Sequence, residues 1–231
     1  METKITKELT PTISVAKANR LFWMGRYAQR VYLTLHQLRK HFDMTIDEDD
    51  DAYKTFCTKM GIEDIYSSSE DFFQKYLYDE TNPDSVINML DRTKSNAMVL
   101  REEIMSETLS YIELSISQIN FCKTNSHSLN DLQPITDYIL AFWGSLDERI
   151  LNKQTRHIIK FGKYLESVDL HIRFDYPYSR VEGIFKLMLE TVEKECYICN
   201  KDVLHGLQQK LTPNKYKDSS TLGMINSLFS T

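Results

Sequence analysis

Glycine and proline are scarce in this chain. Its 231 residues hold 7 Gly and 5 Pro, where an average chain of that length carries roughly 28 in all. Sheets and tight hairpins use these residues at their turns, so the deficit favours long helices with few connections. Clustered positive charge is missing too. The net charge is −5, with no basic tail and no run of Lys or Arg. Nucleic acid is therefore a poor partner, because binding it requires clustered cations to displace counterions. An anionic membrane surface is disfavoured on the same ground. No stretch of about 18 uncharged apolar residues is present, as a bilayer-spanning helix requires. Met1 to Thr12 lacks the apolar core of a secretory signal. A cytoplasmic location is expected, with Cys57, Cys122, Cys196 and Cys199 as reduced thiols.

Several chemical signatures are also absent. There is no Gly-rich loop to cradle a phosphate and no Glu-x-x-His pair for a di-iron site. Cys196-x-x-Cys199 stands alone with only His205 near it, short of the four ligands zinc takes. The run Asp47 to Asp51 has neither the glycine nor the terminal glutamate of a calcium loop, and reads as solvated acid at a helix start. His157 reads as a structural or surface histidine rather than a phosphorylated one. The 13 Tyr and 11 Phe have no basic residues interleaved as in a base-stacking surface, and fit core and groove packing. No metal and no cofactor are expected.

What is present is helical periodicity. Hydrophobic residues make up 42% and charged residues 26%, a globular composition. Val15, Ala18, Phe22, Gly25, Val31, Leu35 and Leu38 recur at helical spacing over Ser14 to Phe42. Shorter helices are expected over Ala52 to Met60 and Ser69 to Leu77. Asn82-Pro83 reads as a helix start, a capping side chain followed by Pro at the first helical position. Further helices are expected over Ser106 to Phe121, from Pro134 to Leu146, over Thr155 to Phe174 and over Ser179 to Tyr197, with two short ones reaching Leu211 and Phe229. With no strand and no linker, the chain reads as one all-α domain over residues 1–231, a single up-and-down helical bundle without a sheet.

Two segments echo each other. Gly25-Arg26-Tyr27-Ala28-Gln29-Arg30-Val31 aligns with Gly162-Lys163-Tyr164-Leu165-Glu166-Ser167-Val168, 137 positions later. The echo suggests a duplicated helical unit. Trp23-Met24-Gly25-Arg26-Tyr27-Ala28-Gln29-Arg30 resembles the Trp-x-Gly-Arg-Tyr-x-Glu-Arg signature of the alpha-E family, a bacterial all-helical domain of unassigned activity. Gly162 to Asp169, with Arg173 beyond, is similar to that family's later Gly-Arg-Tyr-Leu-Glu-Arg-Ala-Asp segment. Asn82-Pro83-Asp84-Ser85-Val86, then Asn96-Ala97, Arg101, Ser106 and Phe142-Trp143-Gly144, fit the stretches between, so the likeness spans about Ser14 to Arg173. Neither Glu-Arg pair is intact here. The first is Gln29-Arg30 and the second Glu166-Ser167. Beyond Pro177 the chain departs from the family and is shorter. Members of the family are often encoded beside, or fused to, ATP-grasp ligases and transglutaminase-like or Ntn-type hydrolases. The resemblance implies an accessory place in an ATP-dependent peptide or amide-forming system, with one of those enzymes as partner. Self-association into a homo-oligomer stays open.

Arg26 and Arg30 lie four apart and share a helix face with Asn19 and Trp23. Together with Tyr27, Gln29, Arg101, Lys163, Tyr164, Glu166, Asp169 and Arg173 they form the candidate polar network. If the two repeats pack about a pseudo-twofold axis, each Arg faces the Glu of the other repeat. Arg30 with Glu166 then survives as one cross-pair, while Gln29 and Ser167 replace both members of the other. Joint loss avoids stranding a buried charge, which costs roughly 3–5 kcal/mol. That pattern fits a structural network in a non-catalytic interaction protein. The alternative is an enzyme or ligand-binding bundle using Arg26, Arg30 and Glu166, which requires these groups to open onto a cavity above about 300 Å³.

Overall fold

The computed structural model describes residues 13–47, 52–124, 129–192 and 198–229. The polar N-terminus to Thr12, most of the acidic run up to Asp51, and Cys196 lie outside the described residues. Eleven α-helices form among those described: α1 (Val15–Asp47), α2 (Ala52–Met60), α3 (Ser69–Tyr78), α4 (Val86–Val99), α5 (Arg101–Ile104), α6 (Ser106–Thr124), α7 (Gln133–Arg149), α8 (Lys153–Arg173), α9 (Tyr178–Val192), α10 (Lys201–Lys210) and α11 (Ser219–Ser227). The fold is all-α with no sheet among these residues, and its one extended feature is an isolated bridge between Cys199 and Phe229. No described helix is long and apolar enough to cross a membrane.

Short polar side chains set the helix starts. Ser14, Ser68, Ser85, Asn152 and Asn200 each accept a backbone N–H of the following turn, satisfying donors a helix leaves open at its N-terminus. The start expected at Asn82-Pro83 is displaced to Val86. The Asn82 side chain closes a turn onto the Asp84 N–H and donates to the Tyr66 hydroxyl, so Ser85 takes over as cap. The helical stretch from Val86 breaks at Leu100 and again at Met105, whose φ of 69° ends the single turn of α5.

Helices α1, α4, α6 and α7 close a four-membered ring, α1 meeting both α4 and α7 and α6 meeting both as well. Outside this ring α8 lies along α1, α9 backs α8, and α11, paired with α10, packs against α8. The buried apolar side chains merge into one core cluster. An aromatic group of Tyr53, Phe56, Phe72 and Tyr76, with Phe174 against it, packs α2 and α3 over one end. At the other, Phe229 stacks on Phe22 at 3.7 Å between ring centroids.

The α1–α8 crossing departs from a strict up-and-down order, because the two helices run in the same sense. Phe22 meets Phe161, Arg26 meets Glu166 and Gln37 meets Tyr176. Glycine makes the approach possible. A Cβ on Gly25 would stand 2.1 Å from the Ile159 carbonyl oxygen, and one on Gly162 would stand 2.1 Å from that of Phe22. Backbone meets backbone at both places, where no side chain can yield. The pair is reciprocal. Gly162 is Gly25 displaced by 137 positions, and Ile159 is Phe22 displaced by the same amount. The sequence echo is therefore a spatial pseudo-twofold, with its axis passing through the crossing.

Candidate functional site

Beside this crossing, α1 and α8 bring five charged side chains together on one face. Glu166 is 1% exposed and accepts from two arginines, from Arg26 Nε at 2.6 Å and from Arg30 Nε. Asp169, fully buried, accepts from Arg173 Nε at 2.9 Å. Its other oxygen has no hydrogen-bond partner, but stands 3.8 Å from Arg26 Nη2 and 3.9 Å from Arg30 Nη2. Arg173 also reaches toward the Met60 carbonyl at the end of α2. Trp23 and Tyr27 roof the group. Their rings stack at 5.3 Å, and the Arg26 guanidinium lies 5.3 Å from the Trp23 centroid.

Burial raises the Glu166 carboxyl, but the Arg26 and Arg30 charges and their hydrogen bonds outweigh it and hold Glu166 below its ordinary value. Asp169 moves the other way. Burial raises it first and the neighbouring Glu166 charge second, against the pull of Arg173 and Arg26. Three guanidiniums thus face two carboxylates, and Asp169 is the weaker acid of the two. Each charged group in the cluster lies within ion-pair reach of another.

The remaining sequence candidates lie elsewhere. Arg101 is exposed on α5 and donates to the Ser106 hydroxyl at 3.0 Å, apart from the network. Lys163, Tyr164, Gln29 and Ser167 turn to the opposite face of the α1–α8 pair, where α9 completes a cleft of about 660 Å³. Arg26, Arg30 and Glu166 do not line it. The arrangement expected of an internal catalytic pocket therefore separates into two parts, a charge cluster built on two buried carboxylates and a cleft without those charges.

The cleft brings in residues that the motif reading missed: Tyr32, His36, His171, Tyr176 and Arg180. His171 donates from Nδ1 to the Ser167 carbonyl at 2.6 Å, an oxygen that can only accept. Burial lowers its pKa, with Arg180 and His36 pushing the same way. The ring is thus neutral near pH 7, with Nε2 left as an acceptor. Burial likewise lowers the Lys163 ammonium to about 8. That ammonium lies 4.3 Å from the Trp143 ring centroid. Gln29 is 6% exposed and its Oε1 has no partner. Among the described residues no group of three or more His, Cys, Asp or Glu is placed to hold a metal ion.

A family model described as a predicted alpha-helical domain with a conserved ER motif matches residues 16–191. The match covers both repeat helices and runs through most of α9, beyond Arg173 where the motif likeness ends. No curated protein and no solved structure matches the chain.

Proposed function

The chain belongs to the Alpha-E family, and from that premise we propose that it is a non-catalytic helical accessory domain serving an enzyme that forms or cleaves amide bonds. The observation that carries the non-catalytic reading is the closure of the motif charges. Arg26, Arg30, Glu166, Asp169 and Arg173 are spent on one another around two buried carboxylates, and Arg26, Arg30 and Glu166 stay out of the cleft. A reacting group needs an open position beside it, and here both carboxylates are buried and held by arginines. Its physical task is to lock α8 onto α1, joining the duplicated halves. The partner follows from the family likeness, which points to an ATP-grasp-type ligase or a transglutaminase-like or Ntn-type hydrolase.

The test is reconstitution with an ATP-grasp-type ligase from the organism that encodes this chain. Mixed in equimolar amounts, the two proteins should co-sediment at micromolar concentration, and ATP-dependent amide formation should rise when the helical chain is added. A triple variant carrying Arg26→Met, Arg30→Met and Glu166→Leu, if folded by circular dichroism, should support that rise as well as the wild type does. Loss of the effect in a folded triple variant would give the cluster a chemical role. Absence of association would remove the partner.

A further inference from the structure

The closed cluster and the open cleft are images of each other. Carrying the cluster across the pseudo-twofold, by the same 137-residue displacement that relates the two glycines, sends Arg26 to Lys163, Arg30 to Ser167, Glu166 to Gln29, Asp169 to Tyr32 and Arg173 to His36. All five images line the cleft. The two faces share a backbone frame and differ in side chains. On the closed face two carboxylates are gripped by three guanidiniums. On the open face both carboxylates have become neutral, and Arg30 has become a serine. Removing that long side chain vacates the volume a guanidinium fills on the other side.

The charge that remains is one-sided. Lys163 and Arg180 line the cleft with the imidazoles of His36 and His171, and none of its described lining residues is acidic, in a chain whose net charge is −5. Gln29 stands where Glu166 stands on the closed face. Its buried Oε1 lacks a donor, a condition that ordinarily costs free energy unless something fills it. Leu33, Ile184 and Leu187 supply an apolar wall. A volume of about 660 Å³ lies within the range of small-molecule sites.

We infer that this α1–α8–α9 cleft binds a small organic carboxylate that also carries an N–H donor and an apolar group, the chemistry of an N-acylated amino acid or a peptide C-terminus. The ligand carboxylate takes the role that Glu166 plays on the closed face and pairs with Lys163 and Arg180. Its N–H answers the Gln29 carbonyl, and its side chain lies on Leu33 and Leu187. The site stands whatever enzyme partners the chain, since it rests on the cleft alone.

N-acetyl-phenylalanine is a suitable probe, set against N-acetyl-phenylalaninamide and inorganic phosphate. Binding is read by calorimetry and by the NMR shifts of the His36 and His171 rings. The acid should bind at least about tenfold more tightly than the amide, as one charge-assisted hydrogen bond is worth. It should move both imidazoles, and phosphate alone should move them little. Arg180→Met, at an exposed position, should weaken the acid about tenfold, while Arg101→Met should leave it unchanged. Gln29→Glu restores the carboxylate of the closed face inside the cleft and should abolish acid binding in a folded protein. Equal binding of acid and amide overturns the assignment. So does phosphate matching the acid, or the absence of any imidazole response to the acid at 10 mM, about the weakest affinity a specific site shows.

Discussion

The two faces of the α1–α8 pair have the same backbone and opposite chemistry. On one, Arg26, Arg30 and Arg173 enclose Glu166 and Asp169. On the other, Lys163, Ser167, Gln29, Tyr32 and His36 leave a cleft. The comparison separates what the helix crossing requires from what the side chains add. The crossing needs Gly25 and Gly162, one from each repeat. The charge network is needed once. A duplicated unit that keeps ionic closure on one face can release the other, because a single buried cluster already fixes the register of the two helices.

The largest expected effect comes from stranding charge on the closed face. Glu166→Ala leaves buried Arg26 and half-buried Arg30 with Asp169 alone, and should cost roughly 3–5 kcal/mol in urea unfolding. Its image on the open face, Gln29→Ala, removes an already unpartnered carbonyl and should cost no more than about 1–2 kcal/mol. Equal losses would break the contrast between the faces. The triple variant Arg26→Met, Arg30→Met and Glu166→Leu should cost far less than Glu166→Ala, since groups in contact are not additive.

Next come the glycines, where the faces should agree. Gly25→Ala and Gly162→Ala each drive a methyl into a backbone carbonyl, and each should lose about 1–3 kcal/mol or more. Gly144→Ala, with open space around its position, should be neutral or stabilising by roughly 0.5–1 kcal/mol, as a helix-interior glycine replaced by alanine. A strong difference between Gly25→Ala and Gly162→Ala would mean that the pseudo-twofold is uneven at its centre.

The smallest effect sharpens the electrostatics. A carboxylate whose folded pKa is depressed contributes stability above its unfolded value and loses it as pH falls through the folded value. Glu166 is depressed from an ordinary value of 4.5. The stability gap between wild type and Glu166→Gln should therefore hold from pH 7 to 5 and close only below about pH 4.5, as the wild-type carboxyl takes up its proton. Thermal melts of both proteins at pH 7, 5 and 3 decide this. A gap already closed at pH 5 would show that the arginines do not hold Glu166 ionised.

Much of this was legible in the sequence because glycine and paired charge leave narrow signals. Gly25 and Gly162 aligned in the echo, and both make the close approach such an alignment suggests. Arg30 and Glu166 were matched by the loss of their counterparts, and they meet. Arg26 has no cross-pair in the repeat alignment, and it is placed because the two oxygens of Glu166 each accept from one guanidinium, a turn apart on α1. Arg101 was included on motif position alone, and a break at Leu100 puts it on a separate turn. His171 and Arg180 carry no spacing signal, because α9 brings one of them to the cleft and the other is fixed by its bond to Ser167. Tyr32 and His36 did carry one. The 137-residue displacement applied to Asp169 and Arg173 lands on them.

The glycine contact makes the α1–α8 pair behave like the spine of a book. Backbone touches backbone along one line, with the charge cluster bound on one side and the cleft open on the other. A group seated in the cleft and the ion pairs behind it therefore bear on the same backbone contact from opposite sides.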